Sequence, residues 1–253
     1  MALSGVRARE RSEALRRLSR LLLLLSAVSL AVSFYQKGAL PPPSLILEDL
    51  RQEPVQVEEE IPPPFEVIRK DVRYIVHPRF KYELWGLVVS EHDSRAFTDL
   101  SHKRWNDNLN VKDVCVIWGR NVETGVYRKM KFRNRDFTCY YSYSDAATGA
   151  AFNANALSNN HLLAGDDSTA RAVRKVRRGD QIHVRGWLAS YGQPGTRFQR
   201  GTSISRTDRG NGACETIYVT EFEILRRGNE GWRLAFNVSL AVIAASALAL
   251  FFL

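Results

Sequence analysis

Two apolar stretches of the chain carry no charge. Residues 21–36 lie between Arg20 and Lys37, and residues 234–253 read LAFNVSLAVIAASALALFFL. A helix rises about 1.5 Å per residue, so the second run spans about 30 Å, the thickness of a hydrocarbon core. Asn237, Ser239 and Ser246 are its only polar residues, too few for the polar stripe of a core helix. The first run is shorter and suits the h-region of a secretory signal. Its exit through residues 33–39 lacks a small-x-small cleavage pattern, so the expectation is an uncleaved signal anchor. Arg7, Arg9, Arg11, Arg16, Arg17 and Arg20 precede it against Glu10 and Glu13. Positive flanks stay inside. The expected order is a cytoplasmic basic N-terminus (1–20), a transmembrane anchor (21–36), an extracytoplasmic domain, and a second transmembrane helix (234–253). Trp232 stands where an interfacial anchor is expected.

The pattern between these runs is that of strands. Residues 82–90 (YELWGLVVS) and 111–119 (VKDVCVIWG) are rich in β-formers. Residues 125–132 alternate, and 137–143 (FTCYYSY) read as a fourth strand. The period then changes. Residues 150–164 suit a short helix, and residues 168–178 a second, basic one ended by Gly179. Residues 179–191 (GDQIHVRGWLASY) and 215–225 (ETIYVTEFEIL) return to strand patterning. The intervening segment holds Gly192, Gly195, Gly201, Gly210 and Gly212 with Arg197, Arg200, Arg206 and Arg209, and reads as a long flexible loop.

The form G-D-x-I-x-V-x-G-x-L, a loop, then I-x-V-x-x-F-E-I-L resembles the last two strands of an OB-fold barrel. Gly186 fits a bend at a barrel corner, and the helical segment 150–178 occupies the slot between the third and fourth barrel strands. The resemblance covers about 82–225. It implies a mainly β domain: a small OB-like closed barrel with one or two inserted helices, flanked by two transmembrane helices. The fold hosts many functions and names none.

Composition refines this picture. Seven of nine prolines fall within 41–64 beside Glu48, Asp49, Glu53, Glu58, Glu59 and Glu60. Residues 37–64 therefore read as a Pro-rich acidic linker, with one short amphipathic turn at 44–50. The domain proper is expected at 65–227, an ordinary size for one core. The chain carries a formal charge of +9, and with an acidic linker the domain itself is basic. Of Cys115, Cys139 and Cys214, the apolar flanks of Cys115 suggest a buried free thiol and favour Cys139–Cys214 as the expected disulfide, with Cys115 beside Cys214 the alternative an OB barrel equally allows. No C-x-x-C pair points to structural zinc, and no metal or cofactor is expected.

Candidate chemistry is sparse. Arg128, Lys129, Lys131, Tyr140, Tyr141 and Arg197 are the candidate ligand-binding residues, as basic and aromatic side chains of a kind that holds single strands. An extracytoplasmic location argues against nucleic acid. Asp180 and Glu215 with Arg185 and Arg197 offer a hydrolytic alternative at the barrel mouth. Glu91, His92, Asp93, His102 and Asp107 match no ligand spacing and read as a polar loop. His161 reads as buried and satisfied. The expected role is a binding or scaffold domain of an inner-membrane assembly, facing the periplasm, its partners the bilayer and other membrane or periplasmic proteins. Convergence of His92, Asp93, Asp180 and Glu215 in one pocket would favour catalysis instead.

Overall fold

The computed structural model describes residues 2–135, 137–208 and 213–252. Arg209, Gly210 and Gly212 of the glycine-rich loop, and Leu253, lie outside the described residues. The elements begin with α1 (Ala2–Gln36), β1 (Val55–Val57), β2 (Phe65–Arg69), β3 (Val72–Asp93), α2 (Ser101–Trp105), β4 (Asn110–Ile117) and α3 (Arg120–Thr124). There follow β5 (Met130–Arg135), β6 (Thr138–Tyr143), α4 (Ala146–Ala151), β7 (Leu157–Leu163) and α5 (Asp167–Arg174). The last are β8 (Gln181–Gly192), β9 (Gln199–Arg200), β10 (Cys214–Arg226) and α6 (Glu230–Phe252). Two compact units result, one of Met1–Ala39 with Asn229–Leu253, the other Leu40–Gly228.

In the first unit, Ser12–Gln36 of α1 and all of α6 are long and apolar enough to cross a membrane. The helices pair antiparallel: Ser239 Oγ lies 2.9 Å from Ser29 Oγ, and Phe34 meets Phe236. Ser19, Ser26 and Ser33 on α1 and Ser239 and Ser246 on α6 are buried. Their seven-residue spacing keeps small side chains on one seam, where helix backbones can approach closely. Lys37 Nζ sits 3.3 Å from the Phe236 ring centroid. Asn229 Nδ2 donates to the Ala39 carbonyl where the chain leaves and re-enters this unit.

The second unit is sheet-rich. Its central strands form a hydrogen-bonded ring, β3–β4–β7–β10–β8 and back to β3. All pairs are antiparallel except β7 with β10. Alternation drives this arrangement: Leu84, Val114, Val116, Leu162, Val184, Leu188 and Ile217 are fully buried in one cluster, while the alternate residues of each strand face outward. Gly186 stands opposite a register shift between Val219 and Glu221 of β10, and a Cβ there would fall 2.0 Å from the Tyr218 carbonyl oxygen. Glycine is required where two backbones come this close. Asp166 starts α5 by accepting from the backbone N–H groups of Ser168 and Thr169. Ala170 and Val173 are the buried side of that helix.

Four sequence expectations are corrected. Residues 150–164 are not a helix. They are the end of α4, a short 3₁₀ turn and then β7, whose residues from Ser158 onward are all buried. Polar Ser158, Asn159, Asn160 and His161 are buried on both faces of that strand, so its hydrophobicity carries no two-residue period. Residues 126–129 form a 3₁₀ turn, and β5 starts only at Met130 and pairs with β6 as a separate two-stranded sheet.

The acidic segment is no free spacer. Leu50 is fully buried against the outer face of the ring, with Leu87 and Ile117 in the same cluster. Gln181 clamps the segment, its Oε1 accepting from Leu47 N–H and its Nε2 donating to the Leu45 carbonyl, both 2.8 Å. Trp118 Nε1 donates to Glu53 Oε2 at 2.8 Å, Tyr127 O–H donates to the Pro41 carbonyl at 2.6 Å, and β1 pairs with β3. The segment docks on its own domain because Ile46, Leu47 and Leu50 have an apolar groove to fill. Finally, the disulfide joins Cys115 to Cys139, with Cα atoms 5.8 Å apart, and Cys214 is the free thiol. The β5–β6 hairpin lies over the outer face of β4, which brings Cys139 above Cys115. Cys214 is two strands away from Cys115 across β7.

Candidate functional site

The register of three strands assembles a polar row under the β5–β6 hairpin. On the outer face, β4 presents Asp113 and Cys115, β7 presents His161 and Asn159 opposite them, and β10 presents Thr216 and Cys214 opposite those. Asp113 Oδ1 lies 2.7 Å from His161 Nδ1, and both residues are buried. Burial by itself would lower the His161 pKa, but the Asp113 carboxylate outweighs it and lifts it to about 9. Burial likewise opposes the Asp113 charge, yet His161 holds that carboxyl down at about 2. The Cys214 thiol donates to the Phe137 carbonyl at 3.4 Å. Arg200 Nη2 reaches 3.1 Å from His161 Nε2, and its guanidinium lies 3.6 Å over the Phe137 ring.

The row continues inward. Asn110 Nδ2 donates to Asp113 Oδ1 at 2.8 Å and lies 3.0 Å from His102 Nε2. His102 Nδ1 is 2.6 Å from Asp99 Oδ2, which is also 2.7 Å from His92 Nε2. Tyr191 O–H donates to Asp107 Oδ2 at 2.6 Å. Burial raises the Asp107 carboxyl and the Tyr191 hydroxyl, so both favour their neutral forms.

A cavity of about 330 Å³ opens beside this row. Its walls include Tyr140, Tyr141, Asn159, Arg206, Cys214 and Glu215. Arg206 pairs with Glu215, donates to Tyr82 Oη at 2.8 Å, and lies over the Tyr82 and Trp118 rings. Burial pushes the Glu215 carboxyl up to about 7, partly offset by Arg206. Glu215 is 4% exposed, and its Oε2 has no hydrogen-bond partner among the described residues. Asn159 is fixed from two sides: Asn134 Nδ2 donates to its Oδ1 at 2.7 Å, and its Nδ2 donates to the Phe137 carbonyl at 3.0 Å. That same Nδ2 is 3.4 Å from Cys214 Sγ.

Tyr140 and Tyr141 are thus at the cavity, while Lys131 is exposed on β5 and Arg128 and Lys129 on the turn before it. Arg197 is exposed on the β8–β9 turn and borders none of this cavity. His92, Asp93, Asp180 and Glu215 do not converge. His92 binds Asp99, Asp93 pairs with Arg95, and Asp180 accepts from the backbone N–H groups of Arg177 and Gly228. Arg185 pairs with Glu83 and Glu221. Asp99, Asn110 and Asp113 carry the buried network and were not legible as a group. Asp113 had one signal, a carboxylate beside Lys112 in a strand that is otherwise apolar from Val114 to Ile117. Among the described residues no cluster of three or more His, Cys, Asp or Glu has the arrangement to hold a metal ion. No family model, no curated protein and no solved structure matches this chain.

Proposed function

We propose that the chain is a membrane-tethered binding module, an OB-type barrel held on the outer side of a cell's inner membrane by a helical hairpin. The ring order supports the barrel reading. Its five strands run first, second, third, fifth, fourth around the ring, the one parallel pair is third with fifth, and α5 lies between third and fourth. The observation that carries the location is the Cys115–Cys139 disulfide in a unit bracketed by two membrane-length helices. Disulfides persist in oxidising compartments and are reduced in the cytosol. The arginine cluster before residue 21 supports a cytoplasmic N-terminus.

The ligand site of this reading is the cavity beside Glu215. A second contact surface is the hairpin, where Lys131, Arg133 and Arg135 of β5 face outward beside Tyr140. That face favours an anionic protein partner in the membrane assembly or periplasm. A fluorescent reporter that folds only in the cytoplasm, fused after Gly228, tests the reading: it stays dark, and an export-dependent phosphatase at the same point is active. A bright fusion with a silent phosphatase overturns the location and the reading together.

A further inference from the structure

We propose that the cavity between the β2–β3 turn, the β3–β4 connection and α5 binds the headgroup phosphate of an anionic phospholipid, with the acyl part of that lipid against Phe97 and Leu100. This cavity of about 330 Å³ shares no lining residue with the one beside Glu215. Four cations line it: Lys70 from the turn, Arg95 and Lys103 from the connection, and Arg174 from the end of α5.

The carboxylates nearby do not match these cations. Asp93 Oδ1 lies 3.3 Å from Arg95 Nε and 3.8 Å from Arg174 Nε, and Asp167 takes the buried Arg69 at 2.7 Å. Asp107 on the wall accepts from Tyr191, and burial holds it toward its neutral form. Lys112 is matched by Glu91. Lys70 and Lys103 have no carboxylate partner among the described residues, and Lys103 Nζ reaches the Ala96 and Phe97 carbonyls at 3.4 and 3.2 Å. Arg174 Nε is buried without a hydrogen-bond acceptor, and burial and the neighbouring Arg95 both act against its charge. An anion held here relieves that crowding, and a phosphate offers several acceptor oxygens to the guanidinium and ammonium donors around it.

The apolar part stands on separate observations. Phe97 is 93% exposed and Leu100 72%, more than any other described large hydrophobic side chain of the Leu40–Gly228 unit. The segment that carries them is pinned. Asp99, between them, is fully buried and accepts from the His102 backbone N–H at 2.9 Å. Its other oxygen lies 2.6 Å from His102 Nδ1 and 2.7 Å from His92 Nε2. The buried carboxylate fixes the connection while its two apolar neighbours are held out in water. Lys103 Nζ is 5.7 Å from the Phe97 ring centroid, so the apolar tips border the cationic cavity. Apolar tips beside a cationic pocket match the two parts of an anionic lipid, its chains and its phosphate. A soluble phosphate ester would use the charge and leave Phe97 and Leu100 idle.

The test uses the full-length protein in nanodiscs of neutral phosphatidylcholine and follows its co-flotation with added vesicles. Vesicles of phosphatidylglycerol mixed with phosphatidylcholine are expected to carry the protein, and pure phosphatidylcholine vesicles are not. Lys70→Gln with Lys103→Gln lowers the partition coefficient about 30-fold, about fivefold for each lost charge, and flattens its dependence on salt. Phe97→Ser with Leu100→Ser lowers it about tenfold or more and leaves the salt dependence as in the wild type. All four side chains are exposed, so both variants keep the fold, which unchanged urea midpoints verify. The N-terminal arginines are common to every variant, so differences between variants report the cavity. Equal partition onto neutral vesicles, or partition that neither double variant lowers, overturns the proposal. So does saturable binding of inorganic phosphate without vesicle binding, which marks a soluble phosphate ligand, or binding of single-stranded DNA without vesicle binding, which marks a nucleic acid.

Discussion

The Cys115–Cys139 bond has a stability consequence that can be worked from its place in the chain. The cysteines are separated by 24 residues. Closing a loop of that length in the unfolded chain removes conformational entropy worth about 3.5 kcal/mol at 25 °C. Cys115 is fully buried in one cluster with Leu87 and Ile117, so replacing it with alanine adds on the order of 1 kcal/mol of lost packing. The double variant Cys115→Ala, Cys139→Ala is therefore expected to lose about 4.5 kcal/mol. For a urea dependence of about 2 kcal/mol per molar, its midpoint falls by about 2 M. The assay is urea unfolding of full-length protein in detergent, followed by tryptophan fluorescence, since Trp118 is fully buried. Reductant added to the wild type gives the loop term alone, and Cys214→Ala responds to reductant as wild type does. A midpoint shift of the double variant below about 0.5 M refutes the constraint. Peptides joining Cys139 to Cys214 refute the pairing itself.

The other predictions concern the docked segment, the buried titrating groups and the helix pair. Leu50→Ala lowers stability by about 2–5 kcal/mol because Leu50 is fully buried, whereas Leu45→Ala at an exposed site changes it by less than about 0.5 kcal/mol; equal urea midpoints would return the segment to a free linker. Glu215 and His161 both keep their protons to higher pH in the folded chain than in the unfolded one: Glu215 to about 7 against 4.5, His161 to about 9 against 6.5. Stability from each is full below its unfolded value and is lost as pH rises through its folded value, so urea midpoints fall from pH 5 to pH 9; a rise across that range contradicts the assignment. Ser29→Cys with Ser239→Cys, made in the Cys214→Ala background, crosslinks within one chain on oxidation in membranes, because the two hydroxyls lie 2.9 Å apart; failure to crosslink removes the hairpin.

Part of the fold was legible because it obeys simple periods. The charge-free run in 234–253 and the alternation in 179–191 and 215–225 each declare an element with one apolar environment, and all three are elements of the structure. Strand β7 was not legible for the opposite reason. Its Asn159 and His161 are buried outside the ring under the hairpin and its Asn160 is buried inside it. Hydrophobicity cannot mark a strand whose buried positions are polar. The candidate site suffered the same way. Its members come from β4, β7, β9 and β10, and only strand register makes neighbours of Asp113, His161, Arg200 and Cys214.

Local pattern alone declared the two membrane-length helices, the sheet-rich character of the middle, the helix that became α5, and a special place for Gly186 within its strand. These depend on local pattern or on one backbone contact, and such information is written in neighbouring residues. Only the tertiary structure decided that the acidic proline-rich segment docks, that Cys115 bonds Cys139, and that a thiol, an imidazole and a carboxylate share one row. Each of these depends on which distant surfaces meet. Leu50 is a linker residue until the groove beside Leu87 and Ile117 exists to receive it. Cys214 is a lone thiol until the parallel pairing of β10 with β7 sets it opposite Asn159. The physical reason is the same in both cases: burial and pairing energies belong to contacts, and the partners here lie tens of residues apart in the chain.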